Sequence, residues 1–201
     1  MDYSQRRKQQ AQQTEQAILR ATIDLSRQRP FDKVSVREIC QQAGITTGAF
    51  YHHFKSKEDL LERGFAPLDL YMEQALAPHL DEPPIQRLWI ILSSYAAFME
   101  HMGCPLVARY YQHRLETASF QSIDPNRYTL KAMLACLEEA AGQQELLPIH
   151  TTQWLADFLF RHFRGVVIDW ILHQGSYSLL PKLEQDYQLF QEIFRPQSKQ
   201  D

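Results

Sequence analysis

Residues 46–57 bring together side chains whose chemistry suits binding. Tyr51, His52 and His53 are consecutive, and Lys57 follows four residues later. Phenol, imidazole and ammonium groups donate hydrogen bonds to phosphate oxygens and to base edges. No catalytic arrangement accompanies them, because the sequence contains no glycine-rich phosphate loop, no Gly-x-Ser-x-Gly and no His-Glu-x-x-His. We therefore expect a binding surface without catalytic residues.

The elements that must position these side chains are three short helices. Ser35 with Glu38 forms a capping box that starts a helix at Val36, and Gly44 suits the turn that ends it. Thr46 is placed to cap the next helix. Phe50 and Phe54 are four residues apart and would pack inward. Ser56 opens a third helix and forms a second capping box with Asp59.

This pattern is typical of a helix-turn-helix that inserts its second helix into the DNA major groove. The alternative is an ordinary helical hairpin with solvated polar residues. Two capping boxes, a glycine turn, a helix front of small residues and a basic first turn at Lys57 coincide here, and the coincidence favours DNA. A lysine in a first turn opposes the helix dipole but assists binding of an anion there.

The segment resembles the TetR/AcrR family of bacterial transcription regulators over about residues 12–65. The resemblance is carried by Ala43-Gly44-Ile45 and by Phe-Tyr-His-His-Phe-Lys-Ser-Lys-Glu-Asp-Leu-Leu at 50–61. Two departures are Arg29-Pro30-Phe31, where the family often has Gly, and Cys40, where Ala is common. Neither lies on the expected DNA face.

The resemblance implies an all-α protein with two domains. A helix-turn-helix DNA-binding domain is expected at 12–65, with the motif itself at 35–54, and a helical ligand-binding and dimerisation domain at 66–195. Thr46, Tyr51 and Lys57 would then hold phosphates, and Thr47, Gly48 and His52 would face base edges. The whole set of candidate DNA contacts is Ser35, Arg37, Thr46, Thr47, Gly48, Tyr51, His52, His53 and Lys57.

Charge and cysteine content agree with a cytoplasmic DNA-binding protein. The net charge is −3, but residues 1–64 carry 11 basic and 8 acidic side chains, whereas residues 65–201 carry 10 and 16. A basic N-terminal region followed by an acidic remainder suits a protein that binds DNA phosphates through one end only. The three cysteines have no paired spacing, and we expect no disulfide, signal peptide or membrane span.

Breaks in the pattern predict the remaining helices. We expect a frayed basic arm at 1–12, for which we favour a disordered tail over an arm that contacts DNA. A long helix is expected from Lys57 to about Leu80, with a kink near Gly64 and Pro67. The other predicted helices cover about 14–27, 85–101, 106–117, 152–174 and 179–194, and one that Asp124-Pro125 opens and that runs to about Ala141.

The last two predicted helices carry apolar side chains over a wide arc, which indicates either a monomer core or a two-fold dimer interface. A single helix-turn-helix reads few bases, and we favour the homodimer. The candidate interface residues are Phe158, His162, Gly165, Val166, Leu183, Tyr187 and Phe190.

Aromatic and methionine side chains on the middle helices suit a small amphipathic or aromatic ligand, although such stripes are commonly plain core. The candidate pocket residues are Trp89, Phe98, Met102, Tyr110, Tyr111, His113, Met133, Phe163 and Trp170. His101 and Cys104 are too few for a metal site, and no cofactor is expected.

The sequence thus predicts a transcriptional regulator that responds to a ligand, most simply a repressor released from a palindromic operator by a small molecule. The alternatives are an activator with the same architecture, a nucleoid or adaptor protein without a ligand, and a helical enzyme that borrows the fold.

Overall fold

The computed structural model describes residues 3–117 and 127–196, and its regular elements are all helical, which confirms the all-α prediction. The described residues form two compact units, one within Met1–Ala66 and Met102–Ala118 and the other within Pro67–His101 and Ser119–Asp201. The helices are α1 Tyr3–Gln28, α2 Val36–Ala43, α3 Thr47–His53, α4 Lys57–Phe65, α5 Leu68–Leu76, α6 Pro84–Met102, α7 Cys104–Thr117, α8 Tyr128–Gly142, α9 Thr152–Leu172 and α10 Leu179–Phe194, with 3₁₀ turns at Phe31–Lys33 and Ala77–His79.

The N-terminal unit is a helical cluster in which α1 packs on α2 and α7, α2 packs on α3, and α4 packs on α7. Ile18, Ile39, Phe50 and Phe54 are fully buried at its centre. Burying an aliphatic or aromatic side chain of this size stabilises a fold by about 1.5–3 kcal/mol. This small core fixes the orientation of the three short helices.

The local signals at 35–46 give the geometry that the sequence predicts. The Ser35 N–H donates to Glu38 Oε2 at 2.9 Å and the Glu38 N–H donates to Ser35 Oγ at 3.3 Å, which completes the capping box of α2. Gly44 ends α2 at φ +68°, in the left-handed region that favours glycine. The Ala49 N–H donates to Thr46 Oγ1 at 3.1 Å and starts α3.

The second predicted capping box is only half formed. The Asp59 N–H donates to Ser56 Oγ at 3.1 Å, as expected. The Asp59 carboxylate, however, accepts from the Lys55 N–H at 2.7 Å and not from the Ser56 N–H. Asp is one methylene shorter than the Glu or Gln of a full box, and its carboxylate here bonds one residue earlier.

Two predicted helix boundaries are wrong. The first helix begins at Tyr3, since Gln, Arg, Lys and Ala are all good helix formers and nothing between residues 3 and 14 breaks a helix. The expected long helix from Lys57 to Leu80 is divided into α4 and α5, because Pro67 lacks an N–H and its ring crowds the carbonyl four residues earlier. Residues 1–12 are therefore, where described, a helical extension.

Helix α7 belongs to the N-terminal unit, which differs from the single domain expected at 66–195. The Arg109 guanidinium contacts Asp32 at 3.0 Å, and the Tyr110 ring stacks on Phe65 with 3.9 Å between centroids. His113 Nε2 lies 3.1 Å from Glu62 Oε1. These contacts of α7 could not be predicted from the sequence, because the paired residues are far apart along the chain.

The C-terminal unit is built on α8, which packs against α5 and α9, and α9 packs in turn on α10. Tyr187 Oη donates to the Ile85 carbonyl at 2.5 Å, and Trp170 Nε1 donates to the Tyr177 carbonyl at 2.8 Å. The predicted helix start at Asp124-Pro125 lies outside the described residues; α8 is described from Tyr128.

Within the described ranges, no single helix combines the length and apolar composition needed to cross a membrane. The broken pair α6 and α7 meets those criteria only when the two helices are taken together, as buried helices of a core also do.

Candidate nucleic-acid interface

One side of α3 is exposed and carries the side chains that the sequence singles out. Thr47, Gly48 and His52 are exposed, and Tyr51 exposes 58% of its surface, whereas Phe50 between them is fully buried. The Tyr51 ring packs edge-on against Phe50, with 5.3 Å between centroids. The buried ring anchors the helix and orients the tyrosine outward.

The front of α3 leaves space for another backbone to approach. A Cβ added to Gly48 would meet only Thr46 Oγ1, at 3.8 Å, which is an ordinary contact. The packing of this chain therefore does not require glycine at position 48. Its small size matters only for what approaches from outside.

Lys57 does not extend into solvent as its position in a first turn suggests. Its ammonium donates to the Phe31 carbonyl at 2.9 Å and lies 4.5 Å from the centroid of the Phe31 ring. Desolvation lowers the pKa of Lys57 from its ordinary value, and the charge of Asp32 opposes that shift. The ammonium is thus held over the 3₁₀ turn at Phe31–Lys33, where the Asp32 carbonyl also accepts from it, at 3.5 Å.

Arg63 supports the C-terminal end of α3, and local sequence patterns do not reveal it. Its guanidinium donates to the His53 carbonyl and pairs with Glu15 of α1, and it lies 4.6 Å from the centroid of the Phe54 ring. The two acceptors are 10 and 48 residues away in sequence. The same arginine therefore fixes the end of α3 to both α4 and α1.

The remaining candidate contacts surround α3 within the same unit. Ser35, Arg37 and Thr46 are exposed and His53 is half-buried.

The Glu38 carboxylate is stabilised in its charged form. Hydrogen bonds from the backbone N–H of Ser35, and then from its hydroxyl, lower the pKa of Glu38 to about 2. Arg29 pairs with the same carboxylate at 2.6 Å and joins the end of α1 to α2.

The predicted ligand-pocket residues divide between the two units. Met102, Tyr110, Tyr111 and His113 belong to the N-terminal unit, and the other five belong to the C-terminal unit. Among those five, Met133, Phe163 and Trp170 are buried in the core. Helical spacing could not distinguish core residues from lining residues, because both are apolar and both face inward.

Two clefts in the C-terminal unit each contain one predicted pocket residue. Trp89 lines a cleft of about 490 Å³ between the start of α6 and α10, and its ring stacks on Tyr187 with 5.3 Å between centroids. Phe98 lines a more apolar cleft of about 440 Å³ beside Tyr71. The polar side chains of the first cleft are Gln86, Glu145, Glu184, Gln188, Gln191 and Arg195.

The predicted dimer residues divide into a buried set and an exposed set. Val166, Leu183, Tyr187 and Phe190 are buried within their own unit, so their side chains belong to its core. His162 and Gly165 are exposed and Phe158 is half-buried, all on one side of α9. Exposed apolar residues that the sequence pattern did not single out lie on α10, Leu189 at 56% and Ile193 at 50% exposure.

Among the described residues no three His, Cys, Asp or Glu side chains converge as metal ligands. Burial raises the pKa of the Cys40, Cys104 and Cys136 thiols, so they remain protonated near neutral pH.

The sequence profile described as "Bacterial regulatory proteins, tetR family" matches residues 18–63. The HTH-type transcriptional regulator AcrR of Shigella flexneri is 47% identical over 53 residues, which are 26% of this chain and 25% of that protein. The probable acrEF/envCD operon repressor of Escherichia coli strain K12 is 22% identical over 188 residues, 88% of this chain and 84% of the repressor.

Similarity to solved structures extends over both units. The transcriptional regulator FadR of Bacillus subtilis, solved in complex with stearoyl-CoA, superposes with a TM-score of 0.61 over 87% of this chain and 96% of that chain. At 18% identity this likeness concerns the fold alone. The profile match falls on α1 to α4, the helices that form and support the exposed face of α3.

Proposed function

We propose that this chain, whose N-terminal domain matches the TetR family of bacterial regulatory proteins, is a repressor released from a palindromic DNA operator by a small molecule. The observation that carries this proposal is the exposed face of α3, where Tyr51 is 58% exposed although its neighbour Phe50 is fully buried. The protein acts in the cytoplasm as a transcription factor, without catalysis.

Each α3 enters a major groove and divides its contacts between backbone and bases. Thr46, Tyr51 and Lys57 donate to phosphates, which set register and salt dependence. Thr47, Gly48 and His52 face base edges, which set sequence preference. The Lys57 ammonium has three N–H groups and adds a phosphate to the Phe31 and Asp32 carbonyls that already accept from it.

Tyr51→Ala tests the interface directly. We expect this variant to bind a duplex selected by the wild-type protein about tenfold or more weakly, because a hydrogen bond to a charged group contributes about 1.5–3 kcal/mol. Fluorescence anisotropy measures the affinity. Tyr71→Ala, on an exposed tyrosine of the C-terminal unit, is the matched control. Equal affinity of Tyr51→Ala and wild type would remove α3 from the interface.

Two copies pair through α9 and α10. Gly165 lies inside α9, where glycine costs about 1 kcal/mol relative to alanine. A Cβ at this position would meet nothing within 4 Å in its own chain, so internal packing does not account for the glycine. Close approach of a partner helix does account for it, and exposed Leu189 and Ile193 extend the same apolar contact.

The effector binds in the C-terminal unit, in the cleft beside Trp89. Flat walls from Trp89 and Tyr187 with polar groups around them suit an amphipathic aromatic molecule. The effector lowers DNA affinity only as far as it prefers the conformation that does not bind DNA, typically by about 1–3 kcal/mol. Trp89→Leu is expected to abolish the thermal shift given by a screened effector, whereas Trp154→Leu, outside the cleft, retains it.

A further inference from the structure

The first three turns of α1 form a basic helix that extends beyond the packed core. Every residue from Tyr3 to Gln13 is exposed, and burial in α1 begins further on, at Ile18. Arg6, Arg7 and Lys8 lie in this stretch, and the first acidic residue after Tyr3 is Glu15. We name residues 3–13 the basic extension.

The charges of the basic extension are unfavourable at the N-terminus of a helix. Cations near a helix N-terminus oppose its dipole, and three adjacent cations repel one another. Among the residues that the structure describes, the Arg7 guanidinium lies over the Tyr3 ring, 6.0 Å from its centroid, inside the same segment. An anionic partner would offset both unfavourable effects.

The geometry of Arg63 places the base of this extension near the end of α3. Arg63 pairs with Glu15 of α1 and donates to the His53 carbonyl at the C-terminus of α3. At 1.5 Å per residue, Lys8 lies about 10 Å and Arg6 about 13 Å along the helix from Glu15. The major groove is about 12 Å wide, so this reach is comparable with the distance to a phosphate row beside the groove.

We propose that the basic extension is a second DNA contact, which grips duplex phosphates next to the groove that α3 enters and reads no sequence. This proposal rests on the DNA-binding function proposed above. Consecutive helical residues point about 100° apart, and Arg6 and Arg7 therefore give one or two phosphate contacts per protomer, to which Lys8 can add another. Tyr3 and Ala11 provide no apolar stripe that would suit a membrane or a partner helix.

The test is the salt dependence of binding by Arg6→Gln/Arg7→Gln. Wild type and variant are titrated by anisotropy onto a wild-type-selected duplex and onto a random 30-base-pair duplex, between 50 and 200 mM NaCl. Removal of one phosphate contact makes the slope of log K against log salt shallower by about 0.9. We expect a change of about 0.9–1.8 per protomer on both duplexes. Arg114→Gln/Lys131→Gln, with the same change in charge at two exposed positions, is the control.

The outcomes separate this inference from the proposed function. If the variant and the wild type have the same slope, the basic extension is not a DNA contact, although α3 remains one. If the wild-type protein selects no duplex and binds none, the proposed DNA-binding function is wrong, and this inference is wrong with it. Because Ile18 and the core beyond it are untouched, the variant should melt at the wild-type temperature, and a shallower slope at unchanged melting temperature supports the proposal.

Discussion

At the scale of single residues, short-range chemistry decides where the helices around the interface begin and end. Ser35 and Glu38 satisfy each other's backbone N–H groups, and Gly44 takes the φ of +68° that ends α2. Both features depend on residues three or four apart, and both could be predicted from sequence. The hydrogen bond from the Lys57 ammonium to the Phe31 carbonyl could not be predicted, because it joins residues 26 positions apart.

Glu38 makes stability depend on pH. Hydrogen bonds from Ser35 lower its pKa from 4.5 to about 2 in the folded protein. Its contribution is therefore fully present above pH 4.5 and is lost as the pH falls through about 2. In urea unfolding at several pH values, Glu38→Gln should be less stable than wild type at pH 6, and the difference should disappear near pH 2. A difference that does not change with pH would contradict this.

Gly44→Ala should destabilise the fold by about 1–2 kcal/mol, the cost of the left-handed conformation for a residue with a Cβ. Space is not the reason, since a Cβ there would meet nothing within 4 Å. Gly142→Ala is the matched control, because it also has open space but no positive φ. Equal stability of the two variants in chemical denaturation would show that the conformation of the turn is not limiting.

At the scale of the elements, the sequence predicts where helices form better than it predicts which helices pack together. The bounds of α2, α6 and α10 lie within one residue of expectation. The break between α4 and α5 shows that Pro67 ends a helix where a kink is predicted. The assignment of α7 to the N-terminal unit depends on contacts such as Arg109 with Asp32, and no local pattern encodes these.

Arg63→Gln tests whether this support of α3 matters for binding. The variant should weaken DNA binding severalfold without removing a DNA contact, because the C-terminus of α3 loses its donor at the His53 carbonyl. Hydrogen exchange should rise at the amides of α3. Arg127→Gln, which removes a similarly exposed ion pair with Asp69 in the other unit, is the control. Unchanged exchange in α3 would show that Arg63 does not stabilise it.

At the scale of the whole molecule, the proposed function requires two copies that present two α3 helices to one duplex. Sequence patterns identified α9 and α10 as the candidate pairing elements but selected buried positions such as Leu183 and Phe190, since periodicity does not show which side of a helix faces its own core. The exposed side instead presents His162, Gly165 and Leu189.

Leu189→Glu/Ile193→Glu should convert the dimer to a monomer, because four charges would be buried together across the two-fold axis. Light scattering after size exclusion measures the mass. We expect loss of binding to the selected duplex in parallel, as each monomer reads only half of the site. Leu115→Glu, at a leucine 78% exposed in α7, should remain dimeric. A dimer that survives the double substitution would place the interface elsewhere.

Hydroxyl-radical footprinting on a wild-type-selected duplex tests whether paired α3 helices read the DNA. We expect two protected half-sites related by two-fold symmetry, with centres about 34–36 Å apart or modestly more, and loss of both protections together in Tyr51→Ala. A single unpaired protected site, uniform protection along the duplex, or a footprint unchanged in Tyr51→Ala would contradict it.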